Sequence, residues 1–459
     1  MKKPLFVIDV VGLTPALLGA DTPHLNNLIS DGFMAPLQGV FPALTCSAQS
    51  SMLTGLQPSE HGIVGNGWYF RDLAEIWLWR QSNHLVQGEK VWQAARKLDP
   101  EFSCAKMFWW YNMYADVEWS ATPRPSYPAD GRKLPGIYTQ PPALETRLQD
   151  RLGAFPLFNF WGPMADIRSS EWIAQSAIDV FEIHQPRLNL VYLPHLDYNL
   201  QRLGPRDPRI AEDLRQIDAV VGRLIDYARS KGADVMVVSE YGIEPVSTSI
   251  AVNRILREAG HIRVRETLGW ELLDAGASEA FAVADHQVAH VYIKNPAKIA
   301  RIRKLLESSP GIARALDAEQ QKELSINHAR SGELVLIAEP GHWFSYYYWQ
   351  DDARAPDFAP TVDIHRKPGF DPAELFIDPG LKLPKLRIAQ RLLQKKLGMR
   401  YLLDVIALNG DQVKGSHGRL LEDPADGPLV ILSDSAFASD NLQMTDIKQL
   451  ILDVLGRAD

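Results

Sequence analysis

A chain of 459 residues, 46% hydrophobic and 23% charged, can bury a large core and is not compositionally disordered. Its formal net charge of -8, with acids and bases mixed along the whole length, offers no extended basic surface, so a nucleic-acid polymer is disfavoured as a partner. Cys46 and Cys104 argue against a disulfide framework and fit a reducing compartment, and no apolar run of about 18 residues is present to span a membrane. The expected location is therefore the cytoplasm, with no membrane partner.

The N-terminal run LFVIDV is a strand ending near Asp9, since Asp9 interrupts an apolar stretch too short for a secretory signal. Thr45 lies in FPALTCSAQSSMLTG (41–55), where a helix over Ser47–Leu53 stops near Gly55 and leaves Thr45 beside an anion-attracting helix N-terminus. HGIVGN (61–66) follows. LNLVYLPHLD is a second buried strand ending at Asp197. A crossover helix over Asp207–Ser230, with Ile210, Leu214, Ile217, Val221, Leu224 and Ile225 at helical spacing, stops at Gly232, and DVMVVSE is a third strand ending at Glu240. Such apolar runs alternating with amphipathic stretches predict a doubly wound, mostly parallel α/β sheet with helices on both faces.

Beyond Glu240 the pattern becomes irregular and aromatic-rich. Residues 1–256 are read as the core, 257–400 as an inserted cap or substrate subdomain, and 401–459 as the return of the chain to the core through GSHG (415–418), a strand near PLVILS and a helix over Thr445–Leu455. VADHQVAHVYIK is read as a cap strand on which His286 and His290 are structural histidines, against the alternative that one of them reaches substrate. The cluster HWFSYYYW (342–349) is either cap core or a stacking surface for a planar group. His365, Arg366 and Lys367 are candidates for an anionic substrate group, against the alternative of a solvated loop.

Ligands of open α/β sheets bind outside the carboxyl ends of the strands, so Asp9, Asp197 and Glu240 can converge in one crevice around the Thr45 hydroxyl. Carboxylates around a hydroxyl suit phosphoryl transfer, and Asn66 is available as a neutral donor to a phosphoryl oxygen.

FPALT with SSMLTG, then HGIVGN, LPHLDYNLQRLGP (193–205), SEYGI (239–243) and GSHG, in that order, resembles the alkaline phosphatase superfamily, and within it the nucleotide pyrophosphatase/phosphodiesterases. The resemblance implies hydrolysis of a phosphodiester or pyrophosphate bond in a small phosphorylated molecule through a phosphorylated Thr45. It also implies two divalent metals, zinc in the family. Asp9, Thr45, Glu240 and Tyr241 would surround one metal, and Asp197, Gln201 and His417 the other. Gln201 and Tyr241 stand where the family has histidines and Glu240 where it has Asp. An oxygen-rich set of that kind favours a harder cation such as manganese or magnesium. Alternatives are a phosphonate or phosphomonoester hydrolase of the same superfamily, or a silent member that only binds a phosphorylated ligand.

Overall fold

The computed structural model describes residues 3–129, 133–399 and 401–457; the expected end of the cap at Arg400 lies outside them. A nine-stranded sheet forms the centre. From edge to edge its strands are Leu442–Gln443, Phe33–Gln38, Leu429–Leu432, Asp234–Val238, Leu5–Val10, Leu188–Leu193, Cys104–Met107, Trp119–Pro123 and Ile137–Gln140. Leu5–Val10 pairs in parallel with Leu188–Leu193 on one side and Asp234–Val238 on the other. Leu429–Leu432 and Ile137–Gln140 run antiparallel to their neighbours.

Every residue of Leu5–Val10 and Leu188–Leu193 is buried, which explains why these runs are apolar throughout instead of alternating. Helices Ile167–His184, Ile210–Ser230 and Ile447–Gly456 flank the sheet, each turning an apolar stripe toward it. Adjacent parallel strands share a direction, so Asp9 and the turns after Leu193 and Val238 emerge along one sheet edge.

A second apolar cluster surrounds a four-stranded antiparallel sheet in the order Ala280–Asp285, Val288–Ile293, Leu334–Ala338 and Ile312–Leu316. The expected single cap strand is thus a hairpin: His286 and Gln287 form its turn, and His286 adopts φ +58. Phe344 and Tyr346–Trp349 are buried in this cluster and Trp343 in a smaller one with Val246 and Val413, so the aromatic run is packing.

Candidate active site

The three acids reach the site by different routes. Asp9 is on its strand, and Glu240 follows the strand Asp234–Val238 by two residues. Asp197 corrects the sequence reading: the strand stops at Leu193, and Asp197 sits in the first turn of helix His195–Leu203. Gln201 lies one turn further along the same face, and its amide donates to Asp197 Oδ2 at 2.7 Å. Two glycines allow the remaining loops to close in. A Cβ on Gly242 would lie 1.6 Å from the Asp426 carbonyl oxygen, and one on Gly415 would lie 2.1 Å from that of Leu200, so SEYGI and GSHG both need glycine there.

Thr45 opens helix Thr45–Thr54, and its Oγ1 is 3.0 Å from Tyr241 Oη while also reaching Glu240. Gln49, one turn after Thr45, joins the two acids: its Nε2 donates to Asp9 Oδ2 at 3.1 Å and to Glu240 Oε1 at 2.7 Å, while its Oε1 accepts from Trp110 N–H. The Tyr241 hydroxyl donates to Asp197 Oδ1 at 3.4 Å. His417 Nδ1–H donates to the Ala43 carbonyl at 2.8 Å, and its ring stacks on Tyr241 with centroids 3.6 Å apart. Asn66 Oδ1 accepts from Cys46 N–H at 3.0 Å, fixing Asn66 to the first turn of the Thr45 helix. All eight predicted core-site residues therefore fall in one buried neighbourhood.

Electrostatics follow from this burial. Desolvation, then the Glu240 charge, pushes Asp9 well above the usual carboxylate range, and desolvation raises Glu240 as well. Asp197 is pushed up to about 7, first by burial. Tyr241 is held far above an ordinary phenol by burial and then by Asp197 and Glu240, so it stays a neutral donor. Burial and then His286 push His417 well below the usual imidazole range, which keeps it neutral.

The two halves of the cluster differ in their fitness for a cation. Asp9 Oδ1 and Glu240 Oε2 are buried without a hydrogen-bond partner, and neither carboxylate has an ion pair among the described residues. Two such carboxylates beside a hydroxyl suit one hard cation. In the other half, Asp197 takes its hydrogen bonds from Gln201 and Tyr241, and His417 lies flat against the phenol. Asp197, Tyr241 and the Gln201 amide nitrogen are thus engaged with one another, while Gln201 Oε1 is buried without a hydrogen-bond partner, so this half offers a second ion less than the first half offers one. Among the described residues, no group of three or more His, Cys, Asp or Glu side chains is arranged to hold a metal.

The remaining candidates lie apart from this network. Lys367 is buried in ion pairs with Asp371 at 2.7 Å and Glu374 at 2.8 Å, so it is not presented to an anionic ligand as expected. Arg366 is exposed and paired with Asp363, and His365 is exposed. His290 is structural: Nε2 meets the Val64 carbonyl and Nδ1 accepts from Gly332 N–H.

Sequence reasoning missed Gln49 and Asp285. Asp285 accepts from Asn66 N–H and Nδ2 and touches His286 Nδ1 at 2.9 Å, and His286 in turn lies 3.8 Å from the His417 ring. Both carried a readable signal. Gln49 is four residues after Thr45 on a predicted helix, and Asp285 ends an apolar strand just as Asp9 nearly ends its own.

The nine-stranded, mostly parallel sheet with its flanking helices defines a doubly wound α/β protein. The family model described as type I phosphodiesterase / nucleotide pyrophosphatase matches residues 5–371, and the chain belongs to that family. An uncharacterized pyrophosphatase/phosphodiesterase of Schizosaccharomyces pombe is 24% identical over 233 residues, which are 49% of this chain and 41% of the relative. Ectonucleotide pyrophosphatase/phosphodiesterase family member 1 of Rattus norvegicus is 22% identical over 259 residues, 54% of this chain and 24% of the relative. The chain thus spans less than half the length of these curated relatives.

Among solved structures, murine ectonucleotide pyrophosphatase/phosphodiesterase 5, inactive and in complex with AMP, superposes with a TM-score of 0.59 at 16% identity, covering 100% of this chain and 96% of that one. Phosphonoacetate hydrolase from Sinorhizobium meliloti 1021 in complex with phosphonoacetate gives 0.63 at 14% identity, covering 99% and 96%. At these identities the likeness concerns the fold. No helix among the described residues is long and apolar enough to cross a membrane.

Proposed function

We propose that this chain hydrolyses a phosphodiester or pyrophosphate bond in a small phosphorylated molecule, with Thr45 as nucleophile. The observation that carries the reading is the placement of the Thr45 hydroxyl at a helix N-terminus, in contact with Tyr241 and Glu240 and one residue from the N–H that Asn66 holds. Thr45 Oγ1 attacks phosphorus, the bond to the leaving oxygen breaks, and the hydroxyl proton passes to the Glu240 carboxylate. Water then cleaves the phosphothreonine and restores the hydroxyl. Asn66 Nδ2 spends one hydrogen on Asp285 and has its second for a non-bridging oxygen.

Asp9 and Glu240, beside Thr45, would hold one divalent cation of the magnesium or manganese class. Such an ion supplies positive charge that favours the alkoxide and neutralises phosphoryl oxygens. Residues 257–400 are the segment we assign to the cap, and the cytoplasm the compartment, on two cysteines that are free and buried.

The test is Thr45→Ala assayed on an aryl phosphodiester with magnesium or manganese. Turnover should fall about 1,000-fold or more with the fold retained, and near-normal activity would exclude the mechanism. The second reading, a member that binds a phosphorylated ligand without turnover, is favoured by the mutual engagement of Asp197, Gln201, Tyr241 and His417. It predicts no hydrolysis of diester, monoester or phosphonate, together with a Tm raised by AMP.

A further inference from the structure

Residues 381–399 carry Lys382, Lys385, Arg387, Arg391, Lys395 and Lys396 and no acid, in a chain of net charge -8. Helix Pro384–Lys396 runs through this segment for about 20 Å. One side is anchored: Ile388 packs on the cluster of Ala373, Val405 and Ile406, and Arg387 and Arg391 both pair with Asp404.

At 100° per residue, Leu386, Leu393 and Leu397 share the side opposite Ile388. They are 63%, 56% and 66% exposed, and Leu383 and Met399, which flank the helix in sequence, are 65% and 55% exposed. Lys385 and Lys396 border the leucines, exposed and without an ion pair among the described residues. A helix that is already anchored has no folding reason to keep a second apolar stripe in water, and the lysines beside it point to the occupant.

We propose that this helix docks on an anionic phospholipid surface, lying in the plane of the interface. The strip is convex and one helix wide, so leucines can enter the acyl boundary while the lysine stems carry their ammonium groups back to phosphate depth. A second copy would set lysines against lysines and is disfavoured by charge. Docking of this kind needs no spanning segment and is independent of the chemistry at Thr45.

The full chain is tested by flotation with vesicles of phosphatidylcholine alone or mixed with phosphatidylserine. Binding to the mixed vesicles should be stronger on the order of 100-fold at low salt, and should weaken steeply as salt is added. Leu386→Gln, Leu393→Gln and Leu397→Gln combined should reduce binding at least about tenfold with Tm unchanged, and Lys385→Gln with Lys396→Gln should remove the preference for phosphatidylserine. Absence of flotation, equal binding to both vesicle types, or a solution dimer lost in the leucine variant would each overturn the proposal.

Discussion

Asp285 holds Asn66 by two hydrogen bonds across 219 residues of sequence, from the backbone N–H at 2.8 Å and from Nδ2 at 3.1 Å. A turn of the antiparallel sheet thereby sets the orientation of an amide beside the Thr45 helix. The same amide receives Cys46 N–H on its oxygen, so its rotation is fixed from both sides.

Asp285→Ala removes both acceptors and leaves buried donors of Asn66 unsatisfied. The variant should lose about 2–4 kcal/mol in denaturant unfolding, and any phosphoester turnover should fall about 10- to 100-fold because the donor is no longer aimed. Wild-type stability in the variant would show that the contact does not order the site.

Burial pushes the Asp285 carboxyl up to about 6, above the usual aspartate range, against the opposing pull of the Asn66 hydrogen bonds and His417. The folded state therefore binds this proton more tightly than the unfolded chain. Its contribution to stability is full below the unfolded value and is lost as pH rises through about 6. Between pH about 4 and about 6, unfolding free energy should decline with rising pH by up to about 1.4 kcal/mol per pH unit from this residue. Urea midpoints of the wild type and Asp285→Asn across that range check the sign; identical slopes would contradict it.

If Asp9 and Glu240 share one hard cation, magnesium or manganese should raise Tm with one ion bound per chain, and should add about 2.7 kcal/mol to the unfolding free energy at a free concentration 100 times Kd. Asp9→Asn should abolish the rise. Two tightly held zinc ions per chain, by elemental analysis of the wild type, would show that the Gln201 and Tyr241 half also ligates.

Much of the scaffold is readable because its cues are local. Leu5–Val10, Leu188–Leu193 and Asp234–Val238 are apolar throughout since both sheet faces are covered, and the helix Ile210–Ser230 repeats its apolar residues at 3.6 spacing. Errors arise where a short polar interruption changes the geometry. Pro194 ends a strand and starts the helix carrying Asp197, and His286-Gln287 turns one expected strand into two. Lys367 reads as a free cation until the fold closes Asp371 and Glu374 around it.

Composition and periodicity settle the layered α/β architecture and bring Asp9, Thr45, Asp197 and Glu240 into consideration, because hydrophobic period and strand-end polarity are properties of neighbouring residues. Which partners those groups meet is a matter of long-range closure. Gln49 between two acids, Asp285 on Asn66, His417 flat on Tyr241 and the outward leucines of Pro384–Lys396 exist only once distant segments are packed, since burial and hydrogen-bond direction have no counterpart along a linear chain.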